Sequence, residues 1–160
     1  MIAWILWFFL ALHLFLLDGF LTGLWEWLPD FSLVIGLFCV LYARSSALPG
    51  ILICAALSRS VLLEGSAASH LLVLGLPVAV LLPLRVVFSK GSVLWQCLAA
   101  GFLAFMAPRL TGLLFRITGD GVPGLDVSSV DIFLAMCLVP VFTRLLRSIP
   151  PLSMLQESGR

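Results

Sequence analysis

The sequence predicts an all-α integral membrane protein, a bundle of six transmembrane helices, and three observations carry that prediction. Hydrophobic residues make up 62% of the chain and charged residues 11%, where a soluble domain carries about 25% charged residues. The mean hydropathy is +1.19. The apolar residues also fall into six runs, parted by short breaks. At 160 residues the chain is one domain, with residues 1–151 as the polytopic unit and 152–160 as a short cytoplasmic tail. The Pro-broken end "PPLSMLQESGR" is expected to be disordered beyond Pro151. A net charge of +1 gives no basic field for nucleic acid.

The first run is Ile2 to Leu24. No basic segment precedes it and no small-residue cleavage site follows it, so it reads as a retained span rather than a signal peptide. Trp4 and Trp7 stand at one end, Trp25 and Trp27 at the other. Trp4 and Trp25 are about 31 Å apart on a helix, which suits aromatic belts at the two interfaces. The second and third runs, Phe31 to Ala43 and Gly50 to Leu63, are broken by "RSSALPG" with Pro49 and Gly50. Each covers only about 20 Å, which fits a re-entrant hairpin or two short spans; charge placement favours the spans. The fourth run is Ala67 to Phe88, the fifth Val93 to Phe115, and the sixth Val130 to Leu146. Between the last two lies the long polar connection "TGDGVPGLDVSS".

With six spans starting inside, Arg44, Arg85, Lys90, Arg144, Arg147 and Arg160 are cytoplasmic, while Asp18, Glu26, Asp30, Glu64, Asp120, Asp126 and Asp131 lie at the outer side. The Lys and Arg bias sets orientation, and it predicts both termini inside.

Chemistry is sparse. No GxSxG, HExxH or Gly-rich phosphate loop occurs. The four cysteines, Cys39, Cys54, Cys97 and Cys137, sit in separate apolar runs without CxxC spacing, so neither a disulfide nor a metal site is expected. The chain is expected to lack catalytic activity and cofactors. Ionisable groups at membrane depth remain, and such groups face a bundle interior or water. His13, Asp18, Arg59, His70 and Arg109 are the expected buried polar residues, with Arg116 further along the fifth run. Arg59 can reach outward to Glu64 or inward to Asp18. In "CLAAGFLAFMAPRLTG", Ala100, Gly101 and Ala104 form a small-residue face that lets helices approach closely. Pro108 bends the helix and frees a carbonyl for Arg109 or a partner. Internal packing and docking of another protein's helix both fit; Ala100, Gly101, Ala104 and Pro108 are the candidate partner contact.

Two stretches carry a resemblance. "LPDFSLVIGLFCVLYA" opens an apolar helix on Pro29 and Asp30, and "GILICAALSRSVLLEGSAASH" is a Gly-started helix followed by a small-residue turn. In length, span number and these stretches the chain resembles the rod shape-determining MreD family. Gly65 matches the family's turn glycine. Ser69 replaces a second glycine, and the usual Asp is missing, with Ser60 nearest to it beside Arg59. The resemblance implies a non-enzymatic scaffold of bacterial cell elongation in the inner membrane. It implies an MreC-like single-span partner and links to MreB filaments and peptidoglycan synthases. It also implies a fold similar to the S components of energy-coupling-factor vitamin transporters. Two other readings stay open. A vitamin-binding S component would use Trp25, Trp27, Arg59, Glu64, His70 and Asp120; the last reading is a small accessory subunit of another membrane complex.

Overall fold

Each of the six apolar runs forms a helix. The computed structural model describes residues 2–24, 29–63, 65–86, 93–118 and 128–149, and these are helical with short turns and no strand. The helices are α1 (Ile2–Leu24), α2 (Phe31–Leu41), α3 (Leu48–Leu62), α4 (Ala67–Leu81), α5 (Val93–Thr118) and α6 (Ser129–Arg147). Trp25, Trp27, Glu26, Glu64, Lys90, Asp120, Asp126 and the tail from 150 lie outside the described residues.

Local signals explain the boundaries. Asp30 caps α2 by accepting from the Ser32 amide at 2.6 Å, which satisfies one of the donors a helix start leaves open. Pro49 sits in the first turn of α3, where its missing N–H costs nothing. Gly65 turns the chain between α3 and α4 at φ 116°, a conformation that side chains disfavour. Ser66 then caps α4 through the Ser69 amide at 3.1 Å. The fourth run tightens into a 3-10 turn, Leu82–Leu84, because Pro83 cannot continue the α-helical ladder. Ser128 and Asp131 form a reciprocal cap at the start of α6.

Four helical segments are long and apolar enough to cross a membrane: Ile2–Leu21, Ala67–Leu84, Val93–Leu114 and Ser129–Arg147. The other two are shorter. All residues of α2, from Phe31 to Leu41, are buried, so this short helix is the axis of the bundle. It packs chiefly on α6, α4 and α5, and α1 is held mainly through α3.

Side-chain bonds to backbone carbonyls pin the packing. The Trp7 indole N–H donates to the Ile51 carbonyl at 3.2 Å, and Trp7 is fully buried. That corrects its expected place in an interfacial belt: α3 presents Gly50 beside Trp4, leaving room for indole rings between α1 and α3. Thr143 on α6 is buried and donates to its own-turn carbonyl of Val139 at 2.7 Å, with the Val34 carbonyl of α2 at 3.5 Å.

Candidate functional site

The polar residues gather at the two ends of the bundle. At one end, α1, α2 and α3 meet around Asp18, Asp30 and Arg59. The Arg59 guanidinium bonds the Asp30 carboxylate through Nη2 at 2.9 Å. Asp18 accepts from the Phe31 amide at 3.1 Å, so two carboxylates cap the same helix start. Asp18 also feels the charges of Asp30 and Arg59. The Phe15 ring lies 5.9 Å from the Arg59 guanidinium, within cation–π range. The Arg59 side chain is 14% exposed, and its Nε and Nη1 are buried without a hydrogen-bond partner among the described residues. The expected partners of Arg59 were Glu64 and Asp18. Among the described residues its ion-pair partner is Asp30, which leads α2 into the gap between α1 and α3, with Asp18 close enough to feel its charge. Glu64 lies outside the described residues.

At the opposite end, buried Arg85 donates to the Ala43 carbonyl at 2.6 Å. Arg147 lies over the Tyr42 ring at 5.0 Å, and Arg144 reaches the Gln96 side chain at 3.4 Å. Arg44 is exposed on the turn beside them. These are four of the basic residues that the charge pattern assigns to one side of the membrane.

The other candidate residues divide. His70 is buried at 6% exposure in the first turn of α4. Two expectations of burial are corrected. His13 is exposed on a face of α1 that no other described helix covers, and its Nδ1 turns back to the Phe9 carbonyl at 2.7 Å. Arg109 is also exposed, with its guanidinium 3.6 Å from the centre of the Phe105 ring one turn earlier. It stacks there instead of taking a carbonyl freed by Pro108, since the i, i+4 spacing lays it along the ring. Pro108 is half-buried.

Ala100 and Ala104 belong to the core, and a Cβ placed on Gly101 would stand 2.8 Å from Met136 Cγ of α6. The small-residue face is therefore filled by the chain's own helices, and the expected partner contact there gives way to internal packing.

A cavity of about 320 Å³ opens between α3 and α4. Leu48, Leu52, Leu71, Gly75 and Val78 are among its lining residues, and no ionisable side chain lines it. Among the described residues no group of three His, Cys, Asp or Glu comes together to hold a metal. No protein family, curated protein or solved structure matches this chain.

Proposed function

We propose that this chain is a non-enzymatic scaffold of the bacterial cell-elongation machinery, of the MreD kind. It lies in the inner membrane with six crossings and both termini in the cytoplasm. The observation that carries the reading is how the polar groups are used. Asp18, Asp30 and Arg59 tie three helices at one end, and Arg85 and Arg147 tie the α2–α3 turn to α4 and α6 at the other. Trp7 and Thr143 fasten helices by their backbones. Polarity spent on holding helices to one another suits a rigid framework that presents apolar surface to partners. The resemblance noted in the sequence supplies the biological setting.

The ends of α2 and α3 support the reading of six crossings. At 1.5 Å per residue they are only about 17 and 23 Å long, against about 30 Å of hydrocarbon. Arg85 closes the α4 segment, which is long enough to cross, and it bonds the carbonyl of Ala43 just beyond α2. The α2–α3 turn thus stands at the boundary where α4 ends. At the other end α2 starts beside Asp18, about 9 Å short of the last residue of α1. Neighbouring helices shield the short α2, all of whose residues are buried, from lipid. The end holding Arg44, Arg85, Arg144 and Arg147 faces the cytoplasm by the positive-inside rule.

Purification of the tagged full chain from native membranes, followed by mass spectrometry, tests the function. An MreC-like single-span protein should co-purify at near-equal amount, with elongation synthases and MreB in substoichiometric amounts. A bound vitamin with transporter subunits, or an unrelated complex, would contradict the proposal.

A further inference from the structure

The cavity between α3 and α4 is a groove walled by apolar residues, Leu48, Leu52, Leu71, Gly75, Val78 and Leu82 among them. Its volume of about 320 Å³ is roughly twice that of an apolar cavity that takes up one benzene, so it has room for about a dozen carbons. On α4 the walls run from Leu71 to Leu82, about 16 Å along the helix. That is the depth of one leaflet in a bilayer with about 30 Å of hydrocarbon. A spanning helix needs the full thickness and a width of about 10 Å, so the groove fits a single hydrocarbon chain and not a partner's helix. Gly75 keeps it open. A Cβ built there would have Leu52 Cδ1, at 4.0 Å, as its one contact among the described residues.

Charge at the end of the groove narrows the occupant further. The Arg44 carbonyl accepts from the amide of Leu48 at 3.1 Å, and Leu48 opens the α3 wall. On the other wall Leu82 leads through the 3-10 turn to Arg85, which bonds the carbonyl of Ala43 beside Arg44. Both walls therefore end at the Arg44 turn. Arg85 is buried in that bond, whereas Arg44 is exposed. Among the described residues Arg44, Arg85, Arg144 and Arg147 stand at this end of the bundle, and the acids Asp18, Asp30 and Asp131 stand at the other. Basic clusters at the ends of membrane helices attract anionic headgroups, and arginine pairs with phosphate through charge-assisted hydrogen bonds. We propose that the groove holds one acyl chain of an anionic glycerophospholipid from the leaflet on the arginine side, with the lipid phosphate against Arg44.

The lipid site rests on the reading that the α2–α3 turn reaches a membrane surface, and its test does not depend on which protein co-purifies. The purified full chain is reconstituted in phosphatidylcholine vesicles with a trace of a photoreactive lipid, either phosphatidylglycerol or phosphatidylcholine with a diazirine on one acyl chain. Crosslinked residues are mapped by peptide mass spectrometry. The phosphatidylglycerol probe should label the groove on α3 and α4 about fivefold more than the phosphatidylcholine probe, the effect of one arginine near an anionic headgroup. Arg44→Gln should erase that preference. Gly75→Leu fills the groove and should reduce labelling there by both probes, with melting no lower, because its Cβ meets no close atom. Equal labelling by the two probes, a preference that survives Arg44→Gln, or labelling of α1 as heavy as that of α3 and α4 overturns the inference. An impermeant maleimide on Ser46→Cys, in the same vesicles and with the four native cysteines replaced by Ala, separates the two failures. A labelled turn without lipid preference overturns the lipid site alone, and an unlabelled turn overturns both.

Discussion

Asp30→Ala should lower the melting temperature of the detergent-purified protein by roughly 10 °C, corresponding to about 3 kcal/mol for a chain of this size. Two losses add up. The cap on the Ser32 amide disappears, worth about 1 kcal/mol. The larger loss is electrostatic: Arg59, with only 14% of its side chain exposed, is left without its ion-pair partner. Orphaning a fully buried charge costs about 3–5 kcal/mol, and the 35% exposure of Asp30 together with nearby Asp18 reduces that figure here. Asp30→Asn keeps a cap but loses the charge, so it should fall between wild type and Asp30→Ala. Adding Arg59→Met to Asp30→Ala should recover most of the loss, since removing both partners leaves no orphan. A double variant as unstable as Asp30→Ala would show that the ion pair is not what holds α2 to α3.

Gly101→Leu should be as damaging, through volume rather than charge. A Cβ there would stand 2.8 Å from Met136 Cγ and 2.9 Å from its Sδ, with Ile132 at 3.8 Å. Methionine is flexible, so Gly101→Ala should cost only about 1 kcal/mol as the Met136 side chain shifts. A leucine cannot be absorbed that way, and α5 and α6 must separate, at about 3 kcal/mol. Met136→Ala in the same chain returns the volume and should restore much of the stability. Melting followed by size-exclusion profiles of the three variants checks this. A stable Gly101→Leu would mean that α5 and α6 do not meet at this point.

The positions of the six helices were legible in the sequence because breakers and caps mark their ends. Pro49, Gly65 and the capping Asp30 delimit α2 and α3, and "RSSALPG" locates the turn between them. Which face of each helix turns inward was not legible. A membrane helix is apolar all round, so no amphipathic contrast separates the face against protein from the face against lipid. His13 and Arg109 were expected inside and stand outside for that reason, while Trp7 was expected at an interface and lies in the core. The ion pair at the α2 start was half legible. The acids and Arg59 were evident as costly residues, but the choice of Asp30 over Asp18 depends on three chain segments converging. The sequence likewise offered no measure of how deep α2 begins relative to α1, a matter of tertiary packing that the Asp18 bond to Phe31 fixes.

The most direct test of the six-crossing scaffold is the location of the α2–α3 turn. Four crossings with a re-entrant hairpin and six crossings put the termini on the same side, so only this turn distinguishes them. Ser46 is exposed there. In a chain with Cys39, Cys54, Cys97 and Cys137 replaced by Ala, Ser46→Cys is treated with a membrane-impermeant maleimide, in intact spheroplasts and in inside-out vesicles. The account predicts labelling in inside-out vesicles and none in spheroplasts. No labelling from either side, or labelling from outside, would contradict it.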